Sequence, residues 1–160
     1  MFSKPVIYIQ ISPELLTLKN LSTGESVAEI PEMAISKPPK REILAVGLQA
    51  RSAATSQSAE IVNPFAHPRS LVSDFTAAEL LIKHQLHRVF RPSLLTPAPC
   101  IVIHPLGSPV GGFTQIELRA LREMARGAGA AEVRVRTGRV LGDQEVIAAI
   151  KSNSGEWEQG

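Results

Sequence analysis

Thr114-Gln115-Ile116-Glu117-Leu118-Arg119-Ala120-Leu121-Arg122-Glu123, continued by Ala125-Arg126-Gly127-Ala128-Gly129-Ala130-Ala131-Glu132-Val133, carries a start signal, a periodic face and a stop signal in one run. Thr114 followed three residues later by Glu117 fits a capping box, in which each side chain satisfies the other residue's backbone N–H. Ala120, Leu121, Met124 and Ala128 then recur at helical spacing, and Gly127 to Gly129 supply the small residues at which a helix ends. A strand over 132–136 is expected directly afterwards, so this helix should lie on a sheet.

Upstream, Cys100-Ile101-Val102-Ile103-His104 is an apolar run without alternation, the pattern of a strand buried on both faces. Before it, Phe75, Ala78, Ile82, Leu86 and Val89 mark one face of a helix that Ser73-Asp74 can cap and Pro92 ends. At the start of the chain, residues 6–11, 15–18 and 26–30 are short apolar-rich runs separated by Pro13-Glu14 and by the turn residues 20–24, which predicts an antiparallel meander. Residues 43–46 read as a short strand, 49–58 as a loop or weak helix, and Asn63-Pro64 and His67-Pro68 bracket a further extended segment. Asp143 can cap a last helix through Lys151, and the polar residues 152–160 are expected to fray. Hairpins first, then strands alternating with helices, predict an α/β domain over residues 1–151, a mixed sheet with helices packed on it.

The chain has 160 residues of 44% apolar composition, enough for one domain that buries roughly 70% of its unfolded surface. Cys100 is the only cysteine, which rules out an internal disulfide and points to a cytoplasmic protein. The first apolar stretch is broken by Gln10 and Pro13, too short for a signal peptide or spanning helix. A formal charge of +2 with scattered Lys and Arg argues against nucleic acid. His67, His84, His87 and His104 lack the companions of a metal set, and no metal or cofactor is expected. Gly107-Ser108-Pro109-Val110-Gly111-Gly112 lacks the lysine and spacing of a phosphate loop and reads as a surface loop.

The helix–strand run around Glu117 resembles the pattern T-x-V-E-R-R-A-I followed by G-A-x-x-V of MreB, the bacterial actin family. Met1-Phe2-Ser3, Ala34-Ile35, Asp74-Phe75 and Arg91-Pro92 match the same family in the same order, so the resemblance covers roughly residues 1–136, the family's first large domain. The resemblance implies an actin- and RNase H-like half-molecule, and with it a role in cell shape and the bacterial cytoskeleton.

Departures from the family fall on its nucleotide site. Where the family has D-x-G-T in the first hairpin, this chain has Gln10, Ser12 and Pro13. Gln10 brings no charge to a metal, Ser12 adds a side chain where glycine allows close approach, and Pro13 has no N–H for a phosphate. Carboxylates on the first strand, as nucleases of this topology carry, are likewise lacking. The family's E-E-P-x-A-A-A is replaced by Thr137-Gly138-Arg139-Val140-Leu141-Gly142. Glu117 falls on the family glutamate that sits near the attacking water, but is expected to act as a helix cap. Val89, Phe90, Leu94 and Leu95, beside Arg88 and Arg91, fall where the family has an apolar membrane-contacting loop, which makes them candidate membrane or partner contacts, although packing against the chain's own core is the favoured reading. The expected function is a non-enzymatic binding or scaffolding module that contacts itself, a full-length MreB-like filament or a cell-shape complex. The alternative is half of a composite ATP-binding switch completed by another chain.

Overall fold

The computed structural model describes residues 4–67, 71–152 and 157–158. Met1-Phe2-Ser3 of the family match and Pro68 of the expected extended segment lie outside the described residues, as do 153–156 and 159–160 of the expected tail.

The expected meander forms: β1 (Val6–Ile11), β2 (Leu16–Asn20) and β3 (Ser26–Glu29) pair antiparallel in sequence. β7 (Cys100–Pro105) joins β1 in parallel, and β8 (Glu132–Val135) joins β7 in parallel, giving the order β3-β2-β1-β7-β8. Parallel neighbours need a crossover, and α3 (Gln115–Gly127) provides it between β7 and β8. α2 (Phe75–Val89) packs beside α3.

The pleat sends alternate side chains of β1 to opposite faces. Ile7, Ile9 and Ile11 enter a cluster with Leu81, Ile82 and Leu121 from α2 and α3. Tyr8 points the other way with Val102, against Val146 and Ala149 of α4 (Asp143–Ser152). Helices therefore cover both faces, which explains why β7 is buried at every position and why its sequence does not alternate.

Residues 33–62 depart from the single expected sheet. β4 (Met33–Ile35), β5 (Ile43–Val46) and β6 (Glu60–Val62) make a separate three-stranded sheet, order β5-β4-β6, with α1 (Ala50–Gln57) against it. The sequence hid β4 because three fully buried residues, Met33, Ala34 and Ile35, give no period to read. The segment after Asn63 is a turn rather than extended: Ala66 N–H donates to the Asn63 carbonyl at 3.3 Å, and Phe65 N–H to Asn63 Oδ1 at 3.1 Å. α4 starts at Asp143 itself, whose carboxylate pairs with Lys19 instead of capping from outside. The expected fraying of 152–160 does not apply to Trp157 and Glu158: Trp157 is 8% exposed, and Glu158 N–H donates to the Val135 carbonyl at 2.8 Å.

Candidate functional site

β1 ends in a turn that closes on itself. Ser12 N–H donates to the Leu15 carbonyl at 3.0 Å, its hydroxyl donates to the same oxygen at 3.1 Å, and Leu15 N–H returns to Ser12 Oγ at 3.0 Å. Pro13 brings no N–H, and its carbonyl accepts from Asn63 Nδ2 at 3.0 Å. Gln10 lies half-buried in the ladder between Thr17 and His104. The Ser12 and Leu15 amides, which an open phosphate-binding turn would present, are consumed inside this one.

Across from the turn, the loop after β7 closes a cleft of about 590 Å³. Pro13, Leu71, Val110 and Phe113 give it an apolar wall, and Glu117 stands at its edge. Among the described residues that line it, none is a lysine or arginine. Gly107, Gly111 and Gly112 of the loop have φ of 92°, 81° and 76°, a conformation glycine adopts without strain, and this leaves Val110 fully exposed at its tip.

Glu117 has both oxygens occupied. Oε2 accepts Thr114 N–H at 2.8 Å while Thr114 Oγ1 accepts Glu117 N–H at 3.2 Å, the complete capping box. Oε1 accepts Leu71 N–H at 3.2 Å and so ties the segment before α2 to the start of α3. This geometry serves to hold two elements together.

The apolar segment after α2 divides. Val89 and Phe90 are 2% and 7% exposed and belong to the core, the favoured of the two readings, so these two are not the candidate membrane or partner contacts. Leu94 and Leu95 are 105% and 75% exposed. They are held out by a built turn: Ser93 Oγ accepts Leu95 N–H at 3.3 Å and Thr96 N–H at 3.1 Å, and Ser93 and Thr96 form a bridge. Arg88 pairs with Glu29 at 2.9 Å and Arg91 is exposed.

Sequence reasoning missed one buried polar set. Tyr8 Oη lies 2.7 Å from His104 Nδ1, and His104 Nε2 lies 3.0 Å from the Gly138 carbonyl. A carbonyl only accepts, so Nε2 carries the proton and Nδ1 accepts from the tyrosine. Leu141 N–H donates to Tyr8 Oη at 3.4 Å. Burial, opposed by the Gly138 bond and aided by Arg136, lowers the pKa of His104 below its usual value, so the ring is neutral. The register signals the pair only after β1 and β7 are known to be neighbours. His84 and His87 lie apart from it on the exposed face of α2. Among the described residues no three His, Cys, Asp or Glu side chains converge as a metal site would require, and no helix is long and apolar enough to cross a membrane. Cys100 is buried, and burial pushes its thiol up to about 11.

The family model described as MreB/Mbl protein matches residues 21–154. The cell shape-determining protein MreB of Escherichia coli (strain K12) is 40% identical over 63 residues, 39% of this chain and 17% of that protein. MreB of Salmonella typhimurium matches with the same figures. Among solved structures, MreB 5 of Spiroplasma citri bound to AMPPNP superposes with a TM-score of 0.66 at 18% identity, over 97% of this chain and 43% of that one. A non-polymerising MamK mutant bound to AMPPNP gives 0.68 at 16% identity, over 86% and 42%. The chain thus spans less than half the length of the structures it resembles, and the likeness at these identities is one of fold.

Proposed function

The chain belongs to the MreB/Mbl protein family, and from that premise we propose that it is a non-catalytic actin-like module that binds within a cell-shape or cytoskeletal assembly. The observation that carries the reading is the closed hairpin turn: Ser12 and Leu15 satisfy each other, Pro13 has nothing to donate, and the neighbouring cleft has an apolar wall. A triphosphate concentrates negative charge, and the described lining of the cleft, with Pro13, Leu71 and Phe113 on its wall, includes no lysine or arginine to balance it. Glu117 supports the same reading, because its two oxygens are engaged by backbone N–H groups.

The partner most consistent with this reading is a filament of a full-length MreB-type protein. Mixed with such filaments, the chain is expected to pellet with them while phosphate release stays at the filament's own rate. A chain that stays in the supernatant and releases phosphate by itself overturns the proposal.

The exposed leucine pair favours a second, compatible reading. Leu94 and Leu95, with Arg91 close by, suit reversible contact with an anionic membrane surface, each leucine contributing about 1.5–3 kcal/mol at most.

A further inference from the structure

Trp157 and Glu158, beyond α4, lie against β8, the edge strand of the five-stranded sheet. Glu158 N–H donates to the Val135 carbonyl at 2.8 Å, the kind of bond an added strand makes at a sheet edge. Side chains from α3, β8 and the loop before α4 close on the same two residues. Arg122 Nη2 donates to the Glu158 carbonyl at 2.6 Å, the Thr137 hydroxyl donates to the Glu158 carboxylate, and the Arg134 guanidinium stands 5.8 Å from the centre of the Trp157 ring. Trp157 is 8% exposed and joins the buried cluster of Tyr8, Val102, Leu141, Val146 and Ala149. The result is a socket for one aromatic ring beside a polar seat for one carboxylate.

The ring that fills the socket does not match it fully. An indole N–H can only donate, and Trp157 Nε1 is buried with no hydrogen-bond partner among the described residues. A buried donor left unsatisfied carries a desolvation penalty that a phenylalanine ring, having no polar atom, does not incur. The socket therefore fits phenylalanine better than the tryptophan it holds, and the polar seat calls for Glu or Asp next in sequence. This chain contains no such pair: Phe2, Phe65, Phe75, Phe90 and Phe113 are followed by Ser3, Ala66, Thr76, Arg91 and Thr114. A second copy brings nothing better than the same Trp157-Glu158.

We propose that the β8 edge is a docking groove for an extended segment of a different protein that carries Phe-Glu or Phe-Asp, and that Trp157-Glu158 is its resident, displaceable occupant. The incoming backbone takes over the bonds to the Val135 carbonyl and the Arg122 guanidinium, its ring replaces the indole, and its carboxylate accepts from the Thr137 hydroxyl. Glu117, Glu123, Glu132, Asp143 and Glu145, the carboxylates of α3, β8 and α4, are each engaged by a cation or by backbone N–H groups. An acidic newcomer thus meets no uncompensated negative charge on the elements that form the groove. The groove is separate from the cleft beside Pro13 and holds its ligand whether or not the chain binds a filament.

Trp157 is the only tryptophan of the chain, so its emission reports on the socket directly. The probe is the peptide Asn-Ser-Gly-Glu-Phe-Glu-Gln-Gly, residues 153–160 with phenylalanine at the ring position and no tryptophan of its own. Titrated into the full chain, it is expected to give a saturable red shift as the indole moves into water, and the same peptide with lysine after the phenylalanine should bind about tenfold more weakly. In anisotropy with the dye-labelled peptide, Trp157→Ala should bind about tenfold more tightly than the parent and Trp157→Phe about tenfold more weakly, because the first empties the socket and the second fills it with the better ring. The parent titration and the conservative Trp157→Phe keep the test valid if Trp157→Ala folds poorly. Emission that stays put up to millimolar peptide, glutamate and lysine peptides that bind alike, or a Trp157→Phe chain that binds as tightly as the parent overturns the assignment. So does a red shift that appears with protein concentration alone, which makes a second copy the occupant.

Discussion

Tyr8→Phe removes one oxygen from the middle of the molecule and strands two polar atoms. His104 Nδ1 loses the hydroxyl 2.7 Å away, Leu141 N–H loses its acceptor, and both atoms stay buried beneath α4. A buried polar group left unpaired costs about 1–3 kcal/mol, and in a domain of this size each kcal/mol moves Tm by about 2–4 °C. The pH dependence comes from the depressed pKa of His104. The unfolded chain takes up the proton near 6.5 while the folded chain resists it, so between those values the unfolded state binds more protons. The stabilising effect is complete above about pH 6.5 and is lost as pH falls through that value towards the folded pKa, at up to about 1.4 kcal/mol per pH unit. Tyr8→Phe weakens the neutral ring's hydrogen bonding and should move its pKa back up, flattening this slope. Urea unfolding of the parent, Tyr8→Phe and His104→Gln between pH 8 and pH 5 gives the comparison; His84, also lowered, titrates in all three and cancels. Parallel pH profiles for parent and His104→Gln, or a Tyr8→Phe cost below about 0.5 kcal/mol at pH 8, would refute the reasoning.

Thr114→Ala removes half of the capping box and should cost about 1 kcal/mol in chemical denaturation, with helix content otherwise kept. Leu94→Ser with Leu95→Ser should leave stability within about 0.5 kcal/mol yet reduce flotation with anionic liposomes, whereas Phe90→Ala should cost about 3–5 kcal/mol because that ring is core. Equal flotation of parent and double variant removes the leucine pair from the functional account. Cys100, with its thiol pushed up to about 11 and its side chain buried, should react with a thiol reagent only at the rate of unfolding; immediate labelling of the native chain contradicts its placement.

Legibility in the sequence tracked the strength of the local signal. β1, β5, α2 and the start of α3 stand where their patterns place them, because Asp74 and Thr114 cap in the way their residue types require and the strands are bounded by Pro and Gly. β4 has three buried residues and no period, and α1 is only eight residues of weak amphipathicity, so the second sheet was invisible until strand pairing was known. At the candidate site, the chemistry of Pro13 and the cap role of Glu117 can be read from residue type and spacing. The bond from Leu71 to Glu117 and the Tyr8–His104 pair span 46 and 96 residues, and no local pattern encodes contacts at that range. The split between buried Phe90 and exposed Leu94 depends on where the chain turns after α2, which hydropathy alone does not specify.

Thermal melting with millimolar ATP and magnesium, beside a nucleotide-free control, bears most directly on the claim that the hairpin holds no nucleotide. A ligand present at a hundred times its Kd stabilises a fold by about 2.7 kcal/mol, several degrees in Tm here. With the Ser12–Leu15 turn closed and Pro13 in place, the curves should coincide. A magnesium-dependent rise of several degrees that disappears in Glu117→Ala would contradict the account and restore the nucleotide switch.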